Sequence, residues 1–228
     1  MKKYTCLLLD LDDTILDFQK AEKYAICKLM EHYSIEASEE NILKYHDINL
    51  QYWKKLELGL VAREDLILLR FIDFFALFGK IIDKEEARNV NALYFDNLSS
   101  VVFFIPNSRE VLNELKKKYK IYLITNGVKR VQEKRLSLLG DFRDIFDKVF
   151  ISEAIGFTKP DIRFSEYVLN DIKISKEECL IIGDSLSSDM MLGINSSIDT
   201  CWFNPKNKKC ELNVNYIIND LNDLLKLL

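Results

Sequence analysis

Histidine is scarce in this chain: His32 and His46 are the only two in 228 residues. The five cysteines (Cys6, Cys27, Cys179, Cys201, Cys210) are odd in number and scattered, with no Cys-x-x-Cys pair. A zinc centre, which draws on clustered thiolates and imidazoles, is therefore not expected. Cys6, Cys179 and Cys201 lie in or beside apolar runs, which reads as reduced core thiols in a reducing compartment. No apolar run approaches the ~20 residues that span a bilayer. The first such run stops at Asp10, too early for a secretory signal, so the expected location is the cytoplasm. Positive charge is not in excess either. With a net charge of −4 and a pI near 5.4, no global basic field draws the chain to nucleic acid or to anionic membrane. Small anionic substrates stay open, because a local cation can reverse the field at one site. Internal repeats, low-complexity segments and long linkers are also absent.

What remains is an ordinary globular composition, 48% hydrophobic and 30% charged, in a chain long enough for one large domain or two modest ones. It is organised around Cys6-Leu7-Leu8-Leu9-Asp10-Leu11-Asp12-Asp13-Thr14. Four apolar residues in a row suit a strand buried on both faces, as in a parallel sheet covered by helices. Such a strand ends at Asp10, because buried unpaired carboxylates cost too much. The acids then stand beyond its carboxyl end, where open α/β sheets bind ligands. Crowded carboxylates call for a cation, and an all-oxygen site suits Mg2+.

After the irregular segment Ile15-Leu16-Asp17-Phe18, residues 19 to 99 show helical periodicity and no buried strand. Ala21, Tyr24, Ala25, Cys27, Lys28 and Leu29 fit a first helix. Ser38, followed by Glu39 and Glu40, starts a second that runs toward Gly59. A third, Glu64 to Phe78, is apolar almost all round and is expected to be buried among other helices. Asp83 with Glu86 opens a fourth in the manner of a capping box. The expected organisation is a helical subdomain, residues 17–99, inserted into a core domain of residues 1–16 and 100–228.

The second half alternates strand and helix. Pro106-Asn107-Ser108 opens a helix; Ile121–Ile124 is a strand ending at Thr125-Asn126-Gly127; a helix from Lys129 to Leu139 closes at Gly140. Val149–Ile151 is a third strand, and Lys159-Pro160 precedes a helix from Ile162 to Asn170. Ser175 with Glu178 has the spacing of a capping box. Leu180–Ile182 is a fourth strand, ending at Gly183-Asp184-Ser185, and Thr200–Phe203 a fifth. The fold class is α/β, a doubly wound, Rossmann-like parallel sheet with an all-helical insert.

In a parallel sheet the strand ends share one edge, so Asp10 and Asp12, Thr125, Asp184 and the loop residue Lys159 converge. Each has a natural part in phosphoryl transfer. One carboxylate attacks phosphorus and a second moves the proton. A hydroxyl, backbone N–H groups and an ammonium hold the phosphoryl oxygens, and a metal offsets developing charge.

These residues resemble the haloacid dehalogenase superfamily of aspartate-nucleophile phosphatases. Its DxDxT motif matches Asp10–Thr14, its strand-end Ser/Thr matches Thr125, and its lysine motif matches Lys159 in Gly156-Phe157-Thr158-Lys159-Pro160. Its GDxxxxD motif matches Gly183-Asp184-Ser185-Leu186-Ser187-Ser188-Asp189. All four occur in order across the whole chain, and the helical insert resembles the family's C1 cap. The resemblance implies Asp10 as nucleophile and Mg2+ ligand, and Asp12 as general acid/base with its main-chain carbonyl on the metal. It implies Thr125 with the Asn126 and Gly127 backbone as the phosphate site, Lys159 paired with Asp10 and the phosphoryl group, and Asp184 on the metal. Asp189 is expected to reach the metal through water or to steady Lys159; Asp13 stays outside. The dehalogenases of this family work without metal and lack an acid two residues after the nucleophile, so Asp12 favours a phosphatase.

Gln51-Tyr52-Trp53, Ile124–Gly127, Ile151–Gly156 and Cys201–Asn204 further resemble the pyrimidine 5′-nucleotidase branch, which dephosphorylates UMP, dUMP and dTMP. A small phosphate ester, a nucleoside monophosphate, is the implied substrate, with sugar phosphates or phosphoglycolate as the alternative. Phe18, Trp53 and Phe71 are candidates to stack a base, against the plainer reading of packing, with Phe71 the plainest. His32, His46 and the lysine groups around 116–120 and 206–209 read as solvated surface. A receiver-like phospho-aspartate switch is a more remote alternative, but it places its acceptor on a later strand and lacks the helical insert. A binding protein without activity would lack a motif residue, and none is missing. Segments Leu16–Gln19 and Ser99–Pro106 are the expected hinges of a closing cap.

Overall fold

The structure, a computed structural model, describes residues 4–228; Met1–Lys3, the start of the expected core domain, lie outside the described residues. The chain forms two compact units, one running up to Phe18 and resuming at Val102–Leu228, the other Gln19–Val101.

The second unit is helical. Its helices are α1 (Phe18–His32), α2 (Glu39–Glu57), α3 (Arg63–Ala76) and α4 (Lys84–Leu98). Ser38 caps α2 by accepting the Asn41 N–H at 3.3 Å, and Asp83 caps α4 by accepting the Glu86 N–H at 2.9 Å. Phe18, expected in an irregular segment, is instead the first residue of α1, because Asp13 Oδ1 accepts its N–H at 2.9 Å and caps the helix. Tyr45, Phe71, Phe74, Phe75 and Tyr94 fill the interior, with Tyr45 stacked on Phe71 at 5.6 Å. Phe71 is therefore core, as its all-round apolar helix implied. That same helix buries Arg70, whose guanidinium lies 4.7 Å from the Phe71 ring centroid and donates to Asn49 Oδ1 (2.7 Å) and Asn91 Oδ1 (2.9 Å). The buried carboxylate of Glu22 accepts a hydrogen bond from Asn49 Nδ2 at 2.6 Å, so opposite charges are joined through an amide.

The first unit is a six-stranded parallel sheet. Its strands are β1 (Cys6–Leu9), β2 (Lys120–Thr125), β3 (Lys148–Ile151), β4 (Cys179–Gly183), β5 (Asp199–Phe203) and β6 (Tyr216–Ile218). They lie in the order β3-β2-β1-β4-β5-β6. The helices are α5 (Ser108–Lys116), α6 (Lys129–Ser137), α7 (Ser152–Ile155), α8 (Ile162–Ile172), α9 (Met191–Ser196) and α10 (Leu224–Leu227). Alternation splits each strand between two apolar layers. Leu7 and Leu9 pack with Val111, Leu112 and Leu115 of α5 on one face. Cys6 and Leu8 pack with Phe164 and Val168 of α8 on the other. That is the doubly wound sheet the sequence predicts, and β1 sits where the strand order reverses.

Three details differ from expectation. β6 was not foreseen: it has three residues at an edge, too few to show a period. The Ser175–Glu178 capping box does not form; a single 3-10 turn, Lys176–Glu178, runs straight into β4 and the Ser175 side chain caps nothing. α6 ends at Ser137, and the chain passes through a 3-10 turn, Gly140–Ile145, before β3. Among the described residues no helix is long and apolar enough to cross a membrane.

Candidate active site

The carboxyl ends of β1, β2 and β4 carry the polar residues. Asp10 follows β1 directly, and its N–H continues the ladder to Ile182 O of β4 at 2.9 Å. Beyond it the chain folds back, with Leu16 N–H on Leu11 O (2.9 Å) and Asp13 N–H on Leu16 O (2.7 Å). Asp12 is thereby held in a tight loop.

Lys159 is the buried centre of the site. Its ammonium donates to Asp10 Oδ1 (2.6 Å), Asp189 Oδ1 (2.6 Å) and the Ile124 carbonyl (2.8 Å), which uses all three of its protons. Burial works against that charge, but Asp10 and Asp189 outweigh it and push the Lys159 pKa up. The backbone of Lys159 is pinned from both sides by one amide. Lys159 N–H donates to Asn126 Oδ1 at 2.9 Å, and Asn126 Nδ2 donates to Lys159 O at 2.8 Å. The peptide between Lys159 and Pro160 is cis.

Asp10, Asp184 and Asp189 each place a carboxylate oxygen within 4.8 Å of the others. Burial, with Asp189 and Asp12 adding repulsion, pushes the Asp10 carboxyl up to about 8 even though Lys159 pulls it down. Asp184 is raised as well, by burial first and then by Asp10 and Asp189. One lysine therefore does not satisfy three carboxylates. Their all-oxygen donor set fits a hard divalent cation of the Mg2+ type, and such an ion would relieve the repulsion that raises them. Both oxygens of Asp189 are already engaged, Oδ1 by Lys159 and Oδ2 by the Ser185 N–H at 3.2 Å. Asp184 is steadied from behind, its carbonyl accepting the Trp202 indole N–H at 2.8 Å.

Two glycines are there for the side chains they admit. A Cβ on Gly183 would stand 2.2 Å from Asp189 Oδ2, and one on Gly127 would stand 2.1 Å from Gln132 Nε2. Gln132 and Arg135, both on α6, were not singled out in the sequence. Gln132 Nε2 donates to Asp12 Oδ2 (2.6 Å) and Thr125 Oγ1 (3.0 Å), while Arg135 Nη1 donates to Asp12 Oδ1 (2.5 Å). Thr125, Asn126 and Gly127 thus cluster at the end of β2, with Gly127 N–H donating to Thr125 Oγ1 at 3.1 Å. The signal available was spacing: Val131 and Arg135, and Gln132 and Leu136, share the buried face of α6. The surrounding Lys129, Arg130, Glu133 and Lys134 masked it.

Of the proposed base-stacking residues, Phe18 is half-buried with its ring 5.7 Å from the Arg135 guanidinium. Trp53 belongs to the helical unit, half-buried, with the Arg63 guanidinium 5.6 Å from its ring.

A family profile described as haloacid dehalogenase-like hydrolase matches residues 4–196. The HAD-hydrolase YfnB of Bacillus subtilis is 35% identical over 209 residues, covering 91% of this chain and 87% of that protein. The pyrimidine 5′-nucleotidase PynA of Streptococcus pneumoniae is 34% identical over 204 residues, 89% of this chain and 84% of its own. The pyrimidine 5′-nucleotidase YjjG of Escherichia coli is 26% identical over 208 residues, covering 91% and 89% respectively. A crystal structure of YfnB bound to magnesium superposes with a TM-score of 0.92, covering 99% of both chains.

Proposed function

The chain belongs to the haloacid dehalogenase-like hydrolases, and from that premise we propose that it is a Mg2+-dependent phosphomonoesterase acting on pyrimidine nucleoside 5′-monophosphates. The observation that carries the phosphatase reading is the buried Asp10, hydrogen-bonded to Lys159 and clustered with Asp184 and Asp189 beyond the central strand. Support for the nucleotide comes from PynA and YjjG, both pyrimidine 5′-nucleotidases that match about nine-tenths of this chain. Support for Mg2+ comes from the oxygen donor set and from the magnesium-bound YfnB structure.

In this reading a carboxylate oxygen of Asp10 attacks phosphorus, the ester P–O bond breaks, and the leaving oxygen takes a proton from Asp12. Water then attacks the aspartyl-phosphate, Asp12 takes the water's proton, and the Asp10–phosphate bond breaks to free inorganic phosphate. The Thr125 hydroxyl and the Asn126 N–H hold the phosphoryl oxygens, the Gly127 N–H holds Thr125 Oγ1 in place, and Lys159, hydrogen-bonded to Asp10, faces the phosphoryl group that forms on it. Carboxylates of Asp10 and Asp184 and the Asp12 carbonyl would hold Mg2+, with Asp189 steadying Lys159. When bound, the ion offsets negative charge developing on the transferred group.

The test is phosphate release with Mg2+ across nucleoside monophosphates, sugar phosphates and phosphoglycolate, with Asp10→Asn as control. The expected result is fastest release from UMP, dUMP and dTMP, and none from the variant. Preference for sugar phosphates would overturn the nucleotide assignment alone. A stable phosphorylated chain without phosphate release would overturn the enzyme and favour a switch.

A further inference from the structure

Gln132 has two N–H groups and one carbonyl to place, and all three are used. Its N–H groups go to Asp12 Oδ2 and Thr125 Oγ1, and its Oε1 accepts from Arg135 Nη1 at 3.0 Å. The amide cannot turn over. Reversed, its oxygen would face the Asp12 carboxylate and its N–H groups would face a guanidinium, two repulsive contacts in place of attractive ones. Arg135 therefore fixes the orientation of Gln132 as well as holding Asp12 Oδ1 directly.

The consequence at Thr125 is a matter of counting. Its Oγ1 already accepts from Gly127 N–H and Gln132 Nε2, so both lone pairs are occupied and the hydroxyl proton is the one valence left. At Asp12, each carboxylate oxygen has its own donor from α6, so the side chain is held in one rotamer. Both anchors come from residues three apart on one helix face.

We propose that Gln132, braced by Arg135, is a positioning residue of the hydrolytic site: its single amide fixes the Asp12 carboxyl and turns the Thr125 hydroxyl proton toward the phosphoryl group. The proposal rests on the phosphomonoesterase reading above. A purely structural role for the pair fits less well. Arg135 is fully buried, yet its Nε and Nη2 have no hydrogen-bond partner, and such donors cost about 1–3 kcal/mol each. Gly127 supports the same assignment. Nothing about its φ demands glycine, whereas the Gln132 amide occupies the space a Cβ would need.

The experiment compares kcat/KM on p-nitrophenyl phosphate and on UMP, each with the same enzyme preparation. Formation of the aspartyl-phosphate from p-nitrophenyl phosphate needs little help from an acid, because the leaving phenolate is stable; UMP needs its leaving alkoxide protonated. Any misfolded fraction cancels in the ratio of the two. Gln132→Met keeps the length of the side chain and removes its N–H groups and carbonyl. It is expected to lose about 10²-fold or more on UMP and about tenfold or less on p-nitrophenyl phosphate, the second loss reporting the Thr125 proton. Inhibition by inorganic phosphate should weaken by about tenfold as well. Gly127→Ala, which displaces the same amide, is expected to reproduce the selective loss and serves if Gln132→Met is not recovered folded. Asp12→Asn separates the two levels. If it shows no selective loss on UMP, the acid/base reading itself fails. If it does, while Gln132→Met and Gly127→Ala lose equally on both esters, the positioning role is overturned and the phosphatase reading stands.

Discussion

Replacing Lys159 with methionine keeps the aliphatic stem and removes the one cation that Asp10 and Asp189 share at 2.6 Å each. Both carboxylates stay buried, and the Ile124 carbonyl, 2.8 Å from the ammonium, loses its donor. Removing one partner of a buried ion pair costs about 3–5 kcal/mol, because the other charge is left uncompensated. In a chain of this size each kcal/mol moves Tm by about 2–4 °C, so the first unit should melt about 6–20 °C lower in chelator. The deficit should also depend on pH. Asp10 already stands near 8 in the folded chain against an ordinary value of 3.8, so the folded state holds its proton over a range where the unfolded state has lost it. Stability from this group is present below the unfolded value and is lost as pH rises through the folded one. Below about pH 8 both folded states keep the Asp10 proton and lose stability in parallel; taking Lys159 away raises the folded value further, so the gap between variant and parent should widen as pH rises above about 8. Excess Mg2+ supplies a cation to the same carboxylates and should narrow it. Scanning calorimetry in EDTA and in Mg2+ reads all three effects. A gap that ignores both pH and Mg2+, or stays under about 1 kcal/mol, would refute the reasoning.

Gly183→Ala would drive a methyl into Asp189 Oδ2; a displacement near 1 Å is expected to lower kcat/KM about 10²-fold, checked alongside Mg2+ affinity. Arg70→Met in the helical unit leaves Asn49 Oδ1 and Asn91 Oδ1 without their donors. The expected loss is about 2–4 kcal/mol by urea unfolding, with the far-UV helical signal as probe. Asp147 accepts from Lys116 Nζ (2.6 Å), Lys120 Nζ (3.1 Å) and the Ile121 N–H (2.8 Å). Against the opposing effect of burial, these donors lower its pKa. Its stabilisation is thus present above the unfolded carboxylate value and disappears as pH falls through the lowered folded one. Asp147→Asn should cost about 0.5–1.5 kcal/mol at neutral pH and converge with the parent in acid.

The sheet was legible because its inner strands are short apolar runs with a charged or turn residue at each end, Leu7–Leu9 before Asp10 and Leu180–Ile182 before Gly183. The carboxylates and Lys159 were legible for the converse reason, since polar residues at the carboxyl ends of buried strands have nowhere else to go. β6 escaped because Tyr216–Ile218 is an edge strand with only Ile218 buried. The α6 pair escaped because a buried polar residue on a charged helix looks like its exposed neighbours until its partner, 120 positions away in the case of Gln132 and Asp12, is known. Glu22 and Arg70 were hidden in the same way, each compensated by an amide from another helix. The Asn126 side chain was passed over in favour of its backbone, and only the loop geometry shows it clamping Lys159.

The register of β1 has a consequence for how the chain is made. Leu9 lies beside Leu123 on one side and Ile182 on the other, so this apolar segment leaves the ribosome well ahead of both neighbours and waits for them. Contacts this distant in sequence slow folding, because the loop must close before the pairing rewards it. Meanwhile α1 to α4, built from nearby residues, can consolidate during synthesis at roughly 5–20 residues per second. Until β2 emerges, Cys6–Leu9 is a sticky nascent strand with both edges open, a natural client for a chaperone.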